Sequence, residues 1–259
     1  MYLKIRIDIN CDLGESYGEF KVGNDAEIMS HITSANVACG FHAGDPVTIA
    51  KTINLAKKHK VAIGAHPGFP DLMGFGRREM QLTSEEAKNY VIYQISALQG
   101  FIKTANLSLQ HVKPHGALYN MAVKDEKLSK AIAEAAKAVD RNLIVFASPN
   151  STLARVAAKN GLHVANEFFA DRAYNSDGSL VSRKQSNAIV HEPKKVIERV
   201  ARAVSERTVL ATDGNVVNLG EVHTVCVHGD TSNAVELAKN LKKGLVKKGI
   251  DVKPVGSFI

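Results

Sequence analysis

Short apolar runs alternate with longer amphipathic segments along almost all of this chain of 259 residues. Each run has the length of a buried strand, and the intervening segments carry helix start and stop signals. A strand–helix order repeated six or seven times predicts a parallel sheet with helical crossovers. The predicted strands are Leu3–Ile9, Ala35–Cys39, Val61–Ala65, Leu109–Lys113, Leu143–Ala147, His163–Asn166 and Thr224–Val227.

Capping signals place the helices between these runs. Asp45-Pro46 supplies an N-cap and an N1 proline before Val47–His59. Thr83 and Glu86 form a capping box before a long helix, and Pro193 opens another. Further helices are predicted over Asp125–Val139, from Asn150 or Ser151 to Gly161, and from Thr231 or Ser232 to Gly249; Val209–Ala211 and Val216–Leu219 flank a hairpin turn at Asp213-Gly214.

Length and composition favour one α/β barrel of about seven strands, since such barrels typically take about 250 residues. The sequence shows no linker, low-complexity tract or repeat, so residues 1–259 are predicted to form one domain. A hydrophobic content of 45% excludes a disordered chain. The net charge of +7 is carried by lysine pairs typical of solvated helix faces, and without Trp or a basic stripe among aromatics it does not indicate nucleic-acid binding.

The three cysteines, Cys11, Cys39 and Cys226, lie in or beside apolar runs and have no C-x-x-C spacing. We expect buried free thiols in a reducing cytoplasm rather than a disulfide framework. The first residues alternate like a strand and lack a signal-peptide core, and no apolar stretch approaches the roughly 18 residues of a membrane helix. A cytoplasmic location is therefore predicted.

Polar residues collect at the ends of the predicted strands. His42, His66, His115 and His228 all follow a strand directly, and carboxylates stand beside them. In parallel α/β folds the active site forms at the carboxyl ends of the strands, and a barrel brings several such ends together. Any one of these residues could cap a helix or permit a turn, but four histidines in equivalent positions indicate a site.

Several named chemistries can be tested against this pattern. The stretch from Gly14 to Gly18 fits G-x-S-x-G, but Ser16 lies several residues beyond its strand and no helix follows directly, which disfavours a serine hydrolase. The chain has neither a P-loop motif nor a G-x-G-x-x-G between a strand and a helix. A divalent metal held by carboxylates and histidines is left open, with Asp8, Asp12, His42 and His66 as its candidate ligands.

Six blocks along the chain resemble the signature blocks of the LamB/YcsF family: IDINCDLGE, SANVACGFHAGDP, GAHPGFPD with GFGRR, HVKPHGALYN, NEFFADRAY and CVHGD. The resemblance spans nearly the whole chain in the family's order, without departure at the polar positions. It implies an irregular (β/α) TIM-like barrel, similar to that of metal-dependent polysaccharide deacetylases. Members of the family are taken to be the A subunit of the prokaryotic ATP-dependent 5-oxoprolinase, so it also implies this reaction, ATP with Mg²⁺ as co-substrate, and partner subunits B and C.

Roles for the strand-end residues follow from combining this reaction with their chemistry. The predicted catalytic residues are Asp12, Glu15, His66, Lys113, His115 and Asp171, which could supply a general base, a general acid and charge stabilisation. The predicted substrate-binding residues are Asn10, His42, Arg77, Arg172, Tyr174 and His228. Lys113, Arg77 and Arg172 are suited to hold a carboxylate or phosphate.

Two further functions stay open at this point. A metal-dependent carbohydrate or amide deacetylase acting alone is the main alternative, because the implied fold supports it by analogy. A non-enzymatic binding protein is disfavoured by the number of ionisable groups that converge on one mouth. The chain lacks a P-loop although the implied reaction uses ATP, so either a partner handles the nucleotide or the mouth of the barrel binds it in another way.

Overall fold

A computed structural model describes residues 4–190, 192–229 and 233–259. Within these ranges seven parallel strands close a barrel in the order β1-β2-β3-β4-β5-β6-β9, with β9 pairing back onto β1. The strands are β1 (Arg6–Leu13), β2 (Ser34–Ala38), β3 (Ala62–His66), β4 (Leu109–Val112), β5 (Ile144–Ala147), β6 (His163–Phe169), β7 (Thr208–Leu210), β8 (Val216–Asn218), β9 (Thr224–Val227) and β10 (Asp251–Val252). The predicted TIM-like α/β barrel is confirmed.

Helices surround the barrel and connect its strands. They are α1 (Asp25–Ile28), α2 (Pro46–His59), α3 (Ser84–Thr104), α4 (Gly116–Ala122), α5 (Glu126–Val139), α6 (Thr152–Lys159), α7 (Pro193–Ser205) and α8 (Ala234–Lys247). Their apolar residues and the outward faces of the strands form one large core. Among the described residues, no helix is both long enough and apolar enough to cross a bilayer.

The predicted starts of α2 and α3 are confirmed by their hydrogen bonds. The Asp45 carboxylate accepts from the backbone N–H groups of Val47 and Thr48, and Pro46 occupies the first turn of α2. Both halves of the capping box between Thr83 and Glu86 are present at the start of α3. The predicted start of the last helix, Thr231 or Ser232, lies outside the described residues, as do Leu3 and Asp230.

The structure differs from the prediction at β1, which runs to Leu13 rather than Ile9, and at β6, which continues beyond Asn166 to Phe169. The first half of β6 pairs with β5, whereas Glu167 to Phe169 pair with β9. Strand β6 is longer than predicted because its last three residues pair with β9, and this pairing helps to close the barrel. The predicted hairpin is present as the antiparallel pair β7–β8, which lies outside the barrel sheet.

The inside of the barrel is polar, and β1 shows why: apolar residues that face the helices alternate along it with polar residues that face inward. Ile7, Ile9, Cys11 and Leu13 belong to the core between barrel and helices, and the residues between them face inward. The Asp8 carboxylate accepts hydrogen bonds from Thr33, Ser34 and Thr224, and Asn10 donates to Glu167 and Thr224. Burying polar groups requires such partners, and this network supplies them.

Apolar side chains close the opposite end of the barrel from the strands' carboxyl ends. Ile144, Phe146 and Ala165 form a small cluster with Val255, against which Phe258 packs. Phe146 stacks on the ring of His111 at 4.0 Å between centroids. The polar interior is therefore sealed below, and access is from the mouth at the carboxyl ends of the strands.

Candidate active site

A cleft of about 780 Å³ opens at the mouth of the barrel. This is within the usual size range of small-molecule sites, about 300–1,000 Å³. It collects residues from the ends of most barrel strands and from the loops that follow them. Eight of the predicted site residues line it: Asp12, Glu15, His66, Arg77, Lys113, His115, Arg172 and His228.

Lys113 forms the floor of this cleft. Its Nζ lies 2.9 Å from Asp12 Oδ1, 2.9 Å from Glu167 Oε1 and 3.2 Å from Asn10 Oδ1, and the residue is 2% exposed. Burial alone would lower the pKa of Lys113, but the nearby carboxylates, Asp12 foremost, hold it well above its usual range. Lys113 is therefore a permanent ammonium ion whose position is set by two carboxylates.

Asp12 connects Lys113 to the histidines. Its Oδ2 lies 3.4 Å from His66 Nε2, and its Oδ1 accepts from both Lys113 and the side-chain amide of Asn36. Burial raises the pKa of this carboxyl group, but His66 and the Lys113 ammonium bring the pKa well below its usual range. Asp12 is accordingly ionised at neutral pH.

His66 and His115 meet edge to face beside Asp12. His66 Nδ1 lies 2.7 Å from the Lys113 carbonyl oxygen, and His115 Nε2 lies 2.8 Å from that of Phe75. A carbonyl can only accept, so each of these ring nitrogens carries a hydrogen. The other two nitrogens, His66 Nε2 and His115 Nδ1, face each other at 2.9 Å. Burial, followed by the charge of His66, lowers the pKa of His115 well below its usual range.

His42 lies behind this pair rather than on the cleft. Its ring stacks parallel on that of His115 at 3.7 Å, and its Nε2 lies 3.2 Å from Glu15 Oε1. The loop that carries the GFGRR block packs against both rings. A Cβ on Gly76 would come within 2.7 Å of the His42 Cβ and 2.9 Å of the His115 ring, and Gly76 also has a positive φ of 63°. Only glycine meets both demands.

The four side chains Glu15, His42, His66 and His115 offer ligand atoms that all lie within 4.8 Å of one another. This is the kind of donor set that holds zinc or a similar ion. The structure does not bring Asp8 or Asp12, two of the predicted metal ligands, into this group. Asp8 lies lower in the barrel among hydroxyl groups, and burial raises its pKa to about 6 against the effect of those hydrogen bonds.

A second pair lies across the cleft, at the ends of β6 and β9. His228 Nδ1 lies 2.9 Å from Asp171 Oδ1 and 3.0 Å from Oδ2. Burial raises the pKa of Asp171, but His228 more than offsets this and the pKa is lowered. An ionised Asp171 requires a hydrogen on Nδ1 of His228, which leaves Nε2 as the basic atom of that ring.

The lining of the cleft carries more positive than negative side chains. Among the described lining residues, six are Lys or Arg and three are Asp or Glu: Lys113, Lys124, Lys184, Arg77, Arg172 and Arg183 against Asp12, Glu15 and Asp177. Arg172 donates to the Val181 carbonyl oxygen, and burial lowers its pKa to about 10. A cleft with this excess of positive charge attracts anionic ligands.

Four predicted site residues do not line the cleft. Asn10 lies beneath Lys113, His42 lies behind His115, and Asp171 lies behind His228. Tyr174 was predicted to bind substrate, but its ring stacks on Phe168 in the core and its hydroxyl accepts from the Phe169 N–H. The loop after β6 returns Tyr174 to the backbone of that strand, which the sequence pattern does not reveal.

The prediction missed Glu167 and Tyr119. Glu167 is fully buried and holds Lys113 and Asn10, and the Tyr119 hydroxyl in the cleft wall pairs with Ser148 at 3.0 Å. A signal for Glu167 existed, because a charged residue within a buried strand requires a partner. The three cysteines are buried and free, as predicted.

Two relatives and one solved structure match this chain along nearly its whole length. A relative from Pyrococcus abyssi, named as the A subunit of 5-oxoprolinase, is 51% identical over 255 residues, which is 98% of this chain and 100% of that protein. A relative of the same name from Alkaliphilus metalliredigens is 53% identical over 95% of this chain and 96% of its own length. The crystal structure of a lactam utilization protein from Thermus thermophilus superposes with a TM-score of 0.91 at 45% identity, covering 96% of this chain and 99% of that one.

The family model extends from the first residues of β1 to the last residue of the chain, and so contains every strand end that builds the cleft. It is described as the LamB/YcsF family and matches residues 7–259. Because the match is almost complete and half of the residues are identical in full-length relatives, the chain belongs to the LamB/YcsF family.

Proposed function

We propose that this chain is the A subunit of a 5-oxoprolinase, which opens 5-oxo-L-proline to L-glutamate while ATP is hydrolysed to ADP and phosphate. The observation that carries the proposal is about 50% identity, over essentially complete chains, to proteins named as the A subunit of that enzyme. In this reaction water adds its oxygen to the lactam carbonyl carbon, the ring C–N bond breaks, and the nitrogen takes up a proton.

The charge of the cleft supports this class of substrate. 5-Oxoproline carries a carboxylate, and the rim offers Arg77, Arg172 and Arg183, whose guanidinium groups can bind a carboxylate through two parallel hydrogen bonds. Lys113 on the floor is the other fixed cation. In the proposed pose the arginines hold the carboxylate and Lys113 faces the lactam oxygen and the negative phosphoryl group that this oxygen accepts.

In the proposed reaction His228 acts as the general base and then as the general acid. Asp171 keeps the hydrogen of this ring on Nδ1, so Nε2 can take a proton from the attacking water and later pass it to the departing nitrogen. Asp12 is ionised and already engaged with Lys113, so we assign it to positioning the ammonium group.

ATP coupling and the partner subunits are further parts of the proposal. ATP, accompanied by Mg²⁺, transfers its γ-phosphoryl group to the amide oxygen and leaves as ADP. One water then adds to the activated carbon, the C–N bond breaks to give an acyl phosphate, and a second water releases phosphate from it. Because the sequence contains no P-loop motif, we assign ATP handling to the complex with subunits B and C rather than to this chain alone. The proposed location is the cytoplasm, where ATP is available.

The test is reconstitution of the activity. The purified chain with 5-oxoproline, ATP and Mg²⁺ is expected to release no glutamate, whereas its mixture with subunits B and C is expected to turn over steadily. Glutamate and phosphate are measured in the same samples. Steady turnover by the chain alone would contradict the assigned division of labour, and an inactive mixture would contradict the proposed function itself.

A further inference from the structure

The contact between His66 and His115 brings together two ring nitrogens with no hydrogen between them when both rings are neutral. Each ring donates its one hydrogen to a backbone carbonyl oxygen, that of Lys113 or that of Phe75. In neutral rings the remaining nitrogens are therefore both acceptors, yet they lie 2.9 Å apart in a buried site. Two lone pairs at this distance repel each other unless a positive species binds to them.

Two carboxylates near the histidine pair add further negative charge that a cation would compensate. Glu15 Oε1 lies 3.5 Å from His115 Nδ1, and Asp12 Oδ2 lies 3.4 Å from His66 Nε2. All of these atoms are acceptors and face the same small volume. The Lys113 ammonium does not fill it, because its contacts are with Asp12 Oδ1, Asn10, Glu167 and Cys226 on the floor of the cleft.

We propose that this volume binds one divalent first-row transition-metal ion of the zinc class, with His66 Nε2, His115 Nδ1 and the Glu15 carboxylate as its ligands. Two histidines and one glutamate form a known zinc-binding set that leaves a coordination position open. All three residues line the cleft, so the open position faces the space where a ligand would bind. This metal site does not depend on which substrate the protein binds.

The surroundings of the two histidines match those of metal ligands. A metal-bound histidine almost always donates its second ring N–H to a carboxylate, a backbone carbonyl or water, which fixes the ring and raises its basicity. Both rings already do so, at 2.7 Å and 2.8 Å. They also meet at an interplanar angle of 88°, so their lone pairs approach one point from different directions.

His42 has a different role from the other two histidines. It is stacked parallel to His115 at 3.7 Å, with an interplanar angle of 3°. An ion in the plane of the His115 ring would lie far out of the plane of His42, whereas metal ions bind imidazole nitrogens in the ring plane. His42 Nε2 is instead 3.2 Å from Glu15 Oε1, where it can donate and orient this carboxylate.

The experiment measures metal binding directly. The full chain is stripped with a chelator, dialysed and titrated with Zn²⁺ in a calorimeter against a competing chelator, with metal content checked by mass spectrometry. We expect one zinc ion per chain. Crystals grown with zinc are expected to show an anomalous peak between Glu15, His66 and His115.

Variants distinguish the ligands from the orienting residue. His66→Gln and His115→Gln are each expected to weaken zinc binding by more than about 100-fold, and His42→Gln by about 10- to 100-fold, the range typical of groups that only orient a ligand. The control is His163→Gln, at the exposed start of β6, which is expected to leave binding unchanged. Circular dichroism checks that each variant is folded.

The proposal is overturned if the stripped wild-type chain binds no zinc, because the pair must then share a proton instead. It is equally overturned if the anomalous peak lies elsewhere, or if folded His66→Gln and His115→Gln variants bind as tightly as the wild type. The crystal experiment uses the unmodified chain, so it decides the question even if a variant fails to fold. None of these measurements depends on 5-oxoproline turnover.

Discussion

At the scale of single residues, the centre of the barrel is organised around one buried cation. Lys113 stands between Asp12 and Glu167, each 2.9 Å away, and all three are largely or fully buried. Desolvation of such a cluster is costly, and its members stabilise the fold only while all of them are present. The cluster therefore makes the Lys113 ammonium both immobile and dependent on its neighbours.

The first prediction is that Lys113→Met lowers the free energy of unfolding by about 3–5 kcal/mol, because Asp12 and Glu167 are left buried without their cation. We also expect turnover of the reconstituted complex to fall about 10²-fold or more, as loss of a positioned charge typically causes. Urea unfolding and glutamate release measure the two effects.

Two comparisons control this prediction. Lys58→Met, on the exposed face of α2, is expected to change neither quantity. Adding Glu167→Gln to Lys113→Met is expected to recover part of the lost stability, since one uncompensated charge is removed. If Glu167→Gln instead lowers the stability of the Lys113→Met variant further, the uncompensated carboxylates are not the cause of the destabilisation.

A second residue-scale prediction concerns Asp171, which reaches the cleft only through His228. Asp171→Asn is expected to lower kcat by about 10² to 10⁴-fold, because the ring loses the partner that keeps its hydrogen on Nδ1. KM should change little, since Asp171 does not line the cleft. Steady-state kinetics of the complex test this, with Glu85→Gln on the exposed start of α3 as control. A rise in KM with unchanged kcat would contradict it.

At the scale of secondary-structure elements, the strands carry two patterns at once. Outward-facing residues of β1 are apolar and pack on helices, while Asp8, Asn10 and Asp12 point inward. Neighbouring strands leave room for these groups by using small residues. Gly64 in β3 is the clearest case, because the His111 ring fills the space where its side chain would be.

The third prediction follows from this close approach. A Cβ on Gly64 would lie 2.1 Å from two atoms of the His111 ring, so Gly64→Ala must displace His111 and break its bond to Asn36. We expect a loss of stability of about 3 kcal/mol or more, in line with overpacked cores and broken buried hydrogen bonds. Thermal and urea unfolding measure it.

Gly100→Ala is the matched control, since that position is helical and nothing lies within 4 Å of its added Cβ. There the substitution is expected to stabilise by about 0.5–1 kcal/mol, because alanine is the better helix former. Equal effects of the two substitutions would show that the barrel interior tolerates the extra methyl group.

The sequence predicted the elements better than it predicted the site. Strand and helix positions follow from local periodicity and capping, which is why the capping box at Thr83 and the N-cap at Asp45 were both found. The strand-end rule likewise found Lys113, His66 and His115. It could not separate His42, which stacks behind the cleft, from histidines that line it, because that depends on loop geometry without any period.

Glu167 and Tyr174 show the same limit. Register decides which of two adjacent strand residues points inward, and the register of β6 is set by its late pairing with β9, far along the chain. Tyr174 follows in a loop where no alternation applies, and its hydroxyl returns to the Phe169 backbone. Contacts between distant segments determined both positions, so alternation along the chain placed neither side chain; the charge of Glu167 signalled only that it would need a partner.

At the scale of the whole molecule, pH dependence of stability reflects the polar interior. Asp8 has a folded pKa of about 6 against an ordinary value of 3.8, because burial outweighs its hydrogen bonds to Thr224, Thr33 and Ser34. The folded state therefore keeps this proton to higher pH than the unfolded state. The resulting stabilisation is complete below about pH 4 and is lost as pH rises through 6.

The fourth prediction isolates this effect with Asp8→Asn, which cannot titrate. From pH 4 to pH 7, the difference in unfolding free energy between variant and parent should shift by about 2 kcal/mol in favour of the variant. Comparing the two proteins at each pH cancels the contributions of all other groups. Urea unfolding at a series of pH values measures the shift, and a constant difference would contradict the assignment.

Closure of the barrel between β1 and β9 also has a consequence for synthesis. The hydrogen bond between Asp8 and Thr224 joins residues 216 positions apart, so β1 leaves the ribosome long before its last partner. At about 5–20 residues per second this wait is roughly 10–40 s. During that time the uncovered inner face of β1 presents carboxylates and an amide, which water solvates well. Inward-pointing charges of this kind oppose pairing of another unfinished strand at the open seam.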